Sequence, residues 1–164
     1  MMWTWIQRLF AGEPDPQNPP PAAPPKQRQP MRLSDHIRVL DAEWSEEHYR
    51  AFLADFLNAE VGITIQGQPE GVERIVTSEE HNITVGQTDF PDGRKRLLLY
   101  ADPAAFADRF GQRFNAGISG RDACRILLAN PDLEGVLINS ADVVLSYPIP
   151  RGILEQAYRV TMVH

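Results

Sequence analysis

Few residues of this chain have the type and spacing to do chemistry, and the densest group lies at Gly117-Ile-Ser-Gly-Arg-Asp122, ahead of an apolar helical pattern and a strand. A phosphate-cradling loop would need GxxxxGK[ST], or GxGxxG after a strand; the spacing here is GxxGR and meets neither. Asp122 opposes an anion at this helix start while fitting its positive field. Ser119 and Asp122 therefore read as a capping pair, with Asp in place of the usual Glu or Gln, and the glycines as turning points. Cys124 has no histidine near it in sequence and falls one turn inside an amphipathic helix, which fits a small buried hydrophobe better than a nucleophile. His36 and His48 fall among acidic residues on helices. A metal would need several converging ligands, so both read as solvent-facing. No HExxH, calcium-loop or GxSxG pattern occurs. The reading is a chain with no catalytic residue, no metal site and no cofactor.

Three units are expected to hold these residues: 1–12, 13–30 and 31–164. In MMWTWIQRLFAG, residues Trp3, Trp5, Ile6, Leu9 and Phe10 fall on one helical arc with Met2, and Thr4, Gln7 and Arg8 on the other. Gly12 and Pro14 stop the helix. No basic residue precedes the apolar part, and the segment is far shorter than the ~20 apolar residues of a membrane span. Trp3, Trp5, Ile6, Leu9 and Phe10 are the expected contacts to a partner protein or a membrane interface; packing on the chain's own domain or in an oligomer is the plainer alternative. One Arg on the polar face makes attraction to anionic lipid weak. Eight of the 14 prolines lie between Pro14 and Pro30. That stretch offers almost nothing apolar to bury and reads as an extended spacer. Pro21 to Lys26 has the PxxPx+ form of proline-motif ligands, but a spacer explains it as well.

The 164 residues carry a net charge of −6. Arg8, Lys26 and Arg28 against Glu13 and Asp15 give the first 30 residues +1, leaving −7 for the remainder. Such a surplus repels nucleic-acid phosphates, so no nucleic-acid partner is expected. One cysteine excludes an intramolecular disulfide framework and fits a reducing, cytoplasmic setting.

Within 31–164 the spacing predicts two helices over Leu33–Glu60, the first capped by Ser34 and running to Trp44, the second capped by Ser45. Short strands follow at VGITIQG, VERIVT and NITVGQTDF. After the turn Pro91-Asp92-Gly93, residues Leu97–Tyr100 read as a strand buried on both faces. Asp102 and Pro103 open a helix that Gly111 stops. RFNAGIS is a short strand or linker. The helix after Ser119 ends at Asn130-Pro131, GVLIN and VVLSYPI are strands, and Pro150 opens a last helix. The expected fold is α+β: a single compact domain with a mixed sheet of five to six short strands flanked by helices, preceded by the amphipathic helix and the Pro-rich linker.

The order RLLLYADPAAFADRF, GISGRDACRILLANPDLEGVLINSA and YPIPRGILE resembles the N-terminal domain of the SseB-like (enhanced serine sensitivity) family. The match runs from Arg96 to Glu155, and loosely from Tyr49. The resemblance implies a compact bacterial α+β domain with no established catalytic activity and no cofactor. Ser140 and Ala141 depart from the Pro and small residue usual after the Asn-ending strand.

Together these features point to a non-enzymatic bacterial binding or accessory module held by its amphipathic helix. A small-metabolite regulator or enzyme of amino-acid metabolism, with a cleft near the loops after Tyr100, Asn139 and Ser119, is the alternative. A secretion-accessory or toxin-neutralising protein is a further one. Oligomeric state is left open.

Overall fold

The structure is a computed structural model and describes residues 30–66, 84–89 and 91–162. The helix expected over 1–12, the linker up to residue 29 and the strand expected at 72–77 lie outside the described residues.

Helix α1 (Leu33–Ala42) puts Leu33, Ile37 and Leu40 on one face, and all three are buried. It ends before Trp44, which the sequence had assigned to it. Ser45 caps α2 (Glu46–Asn58) by accepting from the His48 N–H at 3.2 Å, as expected. The chain then forms β1 (Glu60–Ile63), β2 (Ile65–Gln66), β3 (Thr84–Val85), β4 (Gln87–Thr88) and β5 (Arg96–Ala101). Helix α3 (Pro103–Phe110), β6 (Ala116–Ser119), α4 (Gly120–Ala129), β7 (Gly135–Asn139), β8 (Ser146–Pro150) and α5 (Arg151–Met162) complete it.

Six strands make one mixed sheet in the order β6-β1-β5-β7-β8, with β4 also paired to β5; β2 and β3 form a separate two-stranded ladder. Among the described residues only β5 and β7 run parallel, with Tyr100 opposite Asn139 at their carboxyl ends. The fold is α+β, as the sequence pattern predicted. Alternation sorts the side chains of β5: Leu97, Leu99 and Ala101 join the main core with Val61, Ile63, Val136, Ile138 and Ile149, under α1, α2, α4 and α5. Leu98 and Tyr100 point the other way, into a smaller cluster with Phe106 of α3. Gly62 of β1 lies beneath that cluster, because a Cβ there would stand 2.7 Å from the Phe114 ring.

Helix ends are satisfied by distant groups. Ser34 does not cap α1. The Asp102 carboxylate accepts from the N–H groups of Leu33 at 3.3 Å and Ser34 at 3.0 Å, while Ser34 Oγ accepts from the Ala141 N–H at 2.8 Å. Asp102 is held in the left-handed region at φ 46°, and its side chain makes no cap bond to its own helix α3. At the far end of α4, the Arg151 guanidinium donates to the carbonyls of Leu127, Leu128, Asn130 and Leu133 at 2.9–3.2 Å, filling acceptors that a helix leaves open.

Candidate functional site

At Ser119, the hydroxyl accepts from the Asp122 N–H at 3.1 Å and donates to Asp122 Oδ2 at 2.7 Å. The cap is present, but Asp122, one methylene shorter than Glu, meets the hydroxyl where a full capping box would reach the backbone. The glycines need correction. Neither Gly117 nor Gly120 has positive φ, so they do not turn the chain. Gly120 allows close approach: a Cβ there would stand 1.9 Å from the Phe56 carbonyl oxygen. The loop is a joint between α2 and α4.

Cys124 is fully buried, and burial pushes its thiol up to about 11. The thiolate is scarce at neutral pH, and no attacking group is available there. His36 also departs from expectation: it is fully buried rather than solvent-facing. Its Nδ1 lies 3.1 Å from His48 Nε2 and its Nε2 lies 2.7 Å from Asp55 Oδ2. Asp55 Oδ2 also accepts from the Met31 N–H at 3.2 Å. The two imidazoles bond to each other instead of facing a common ion, and among the described residues no group of three or more His, Cys, Asp or Glu could hold a metal. Position 36 had a usable signal: it follows Leu33 at i+3 and precedes Leu40 at i+4, on the apolar face of α1.

Two concavities among the described residues bear on function. One is a groove of about 710 Å³ between α2 and α5, walled by Trp44, Tyr49, Leu53, Ile153, Ala157 and Val160. Trp44 is 62% exposed and Val160 60%, so the rim presents large apolar surface to water. Its charged members Glu46 and Arg50 pair with each other. Tyr49 is half-buried, and burial, reinforced by Tyr147, raises its hydroxyl to about 12. It stays protonated at any physiological pH. Tyr49, Leu53 and Leu57 were legible as an apolar stripe of α2; that part of the stripe stays uncovered was not.

The other is a crevice of about 340 Å³ at the carboxyl ends of β5 and β7. Of the three loops expected near a cleft, those after Tyr100 and Asn139 meet here, while Ser119 does not line it. Behind it, Tyr100 and Phe106 pack edge to face at 4.8 Å between ring centres. Burial raises the Tyr100 hydroxyl and the nearby Arg113 opposes that shift. The front wall comes from residues 143–145. Val143 and Val144 were expected in a strand; instead β8 starts at Ser146, and a turn closed by the Leu145 N–H on the Val143 carbonyl at 2.8 Å leaves Val144 97% exposed.

The contact residues expected from sequence, Trp3, Trp5, Ile6, Leu9 and Phe10, lie outside the described residues. No helix among the described residues is long and apolar enough to cross a membrane. Set against protein-family models, curated proteins and solved structures, the chain matches none.

Proposed function

We propose that the chain is a non-enzymatic bacterial binding or accessory module of the SseB-like kind, working in the cytoplasm and attached through the amphipathic helix of residues 1–12 to a partner protein or a membrane surface. The supporting observation is the chemistry of the broader concavity. The groove between α2 and α5 is apolar, its two charged groups neutralise each other, and its tyrosine is held protonated. Such a surface excludes water from an apolar partner. The helix supplies the second apolar element. Burying a large apolar side chain contributes roughly 1.5–3 kcal/mol, so Trp3, Trp5, Ile6, Leu9 and Phe10 together could offset the cost of ordering a short helix. A spacer of about 18 residues at about 3 Å each reaches on the order of 50 Å, far enough to meet a surface the domain does not touch.

A second reading is favoured by where the chain joins the domain. The Met31 N–H bonds to Asp55 on α2, so the described chain joins the domain at one of the two groove helices. In that reading residues 3–10 sit in the groove of their own domain. One double variant separates the two. Replacing Trp5 and Leu9 by Asp in the full chain should release it from vesicles or from its partner and leave the melting temperature unchanged. A fall of many degrees assigns the helix to its own groove, and undiminished attachment with unchanged melting removes the helix from the account.

A further inference from the structure

The crevice at the ends of the parallel strands differs from its surroundings in charge. The chain carries 22 acidic residues against 16 Lys and Arg, yet among the described residues no carboxylate lines this crevice, and one arginine does. The two acids that follow the parallel strands are both engaged elsewhere. Asp102, after β5, caps α1 through the N–H groups of Leu33 and Ser34, and Asp142, beyond β7, is paired with Arg32. What lines the crevice instead is a set of donors. The Tyr100 hydroxyl has no hydrogen-bond partner and Arg113 no ion pair among the described residues, and both line the cavity. Asn139 accepts from the Ser146 hydroxyl through Oδ1, which fixes the carboxamide and leaves its NH₂ without a protein partner among the described residues.

Three donors, one of them cationic, therefore line the same crevice as an apolar wall of Phe106, Phe110 and Leu145. Donors left free of protein acceptors can bond an anion, and no carboxylate among the described lining residues repels one. The planar guanidinium and carboxamide match two lone-pair edges of a carboxylate, while the wall accommodates a body of one ring or a branched alkyl chain. The location is the one where open sheets with parallel strands place ligands, outside the carboxyl ends. We propose that this crevice binds a small apolar carboxylate, with Arg113, Tyr100 and Asn139 gripping the carboxylate and Phe106 and Phe110 packing against its body. This site is separate from the helix and groove of the attachment reading and stands or falls without them.

The test uses the full chain, labelled with ¹⁵N, titrated with acetate, isovalerate, phenylacetate and indole-3-acetate, with phenylacetamide as the neutral control and inorganic phosphate as a second anion. At least one of the apolar carboxylates should give saturable shifts at the Asn139 carboxamide and the Arg113 guanidinium at up to about 10 mM, the weak end of specific affinity. Phenylacetamide should bind at least about tenfold more weakly than phenylacetate, because the charge-assisted bonds are lost. Arg113→Gln, an exposed position whose change leaves the melting temperature in place, should weaken the carboxylates by about tenfold and leave the amide unaffected. The proposal is overturned if none of the four carboxylates saturates at these residues, if amide and acid bind equally, if phosphate binds more tightly than every carboxylate, or if Arg113→Gln binds phenylacetate unchanged.

Discussion

The groove between α2 and α5 and the crevice at the ends of β5 and β7 lie on opposite sides of one sheet and have opposite chemistry. The groove is broad, apolar and internally neutralised, with Trp44 and Val160 open to water. The crevice is half the volume, carries donors without acceptors, and has had its neighbouring acids drawn off to α1 and Arg32. The alternation of β5 keeps them apart: Leu97 and Leu99 feed the core beneath the groove helices, and Tyr100 feeds the crevice. A surface of the first kind recognises by area and gains little from a point charge. One of the second kind recognises by a few oriented bonds.

Changes that strike one region should leave the other standing, and the largest effect belongs to the joint behind the groove. Gly120→Ala drives a methyl into the Phe56 carbonyl, which belongs to backbone and cannot swing aside. A loss of about 3 kcal/mol in denaturant unfolding is expected. Gly152→Ala, in the first turn of α5 with nothing within 4 Å of the added atom, should be neutral or stabilising by up to about 1 kcal/mol. Equal losses at the two positions would show that the α2–α4 contact is not tight.

Asp102→Ala comes next. It removes the acceptor for two N–H groups of α1 and leaves alanine in the left-handed region, for an expected loss of about 2 kcal/mol. Asp102→Asn, which tolerates that conformation, should lose less. If the two substitutions cost the same, neither the left-handed backbone nor the one oxygen Asn retains contributes, and the paired oxygens of the carboxylate carry the effect.

A smaller effect marks the other end of β5. Asp92 accepts a two-pronged bond from the buried Arg96 guanidinium at 2.6 and 2.8 Å, and that bond holds its carboxyl well below the usual carboxylate range. Because the folded value is depressed, the stability it contributes is fully present above the ordinary pKa of about 3.9 and is lost as pH falls below that toward the folded value. The melting difference between the wild type and Asp92→Asn should therefore be steady at pH 5–8 and shrink below about pH 4. A difference that grows on acidification would contradict the pairing. Asp92 is exposed, so the effect is small, and neither concavity should notice it.

What the sequence made legible follows from range. The Ser45 and Ser119 caps, the Leu97–Tyr100 strand and the stop at Gly111 are set by residues within a turn of one another, and all are present. Ser34 misled because its competitor for the α1 terminus, Asp102, is 68 positions away. His36 misled because acidic neighbours outweighed its place on the apolar face, and its partners His48 and Asp55 belong to the next helix. At the crevice, Tyr100 and Asn139 were visible as strand ends that a parallel pairing aligns. Arg113 was not, since it follows α3 in irregular chain and only the closed fold brings it to Tyr100. The glycines of the 117–120 stretch show the same limit: sequence marks a small residue but not whether the reason is a turn or a close approach.

The central claim is that residues 3–10 attach the module to something other than itself, leaving the groove open. The Trp44 indole N–H, on the exposed rim, reports on this directly by NMR. Its resonance in the full chain should coincide with that in the Trp5→Asp, Leu9→Asp chain, with vesicle or partner attachment seen only for the unsubstituted protein. A displaced Trp44 resonance in the full chain that moves on the double replacement would place the helix in its own groove and contradict the claim.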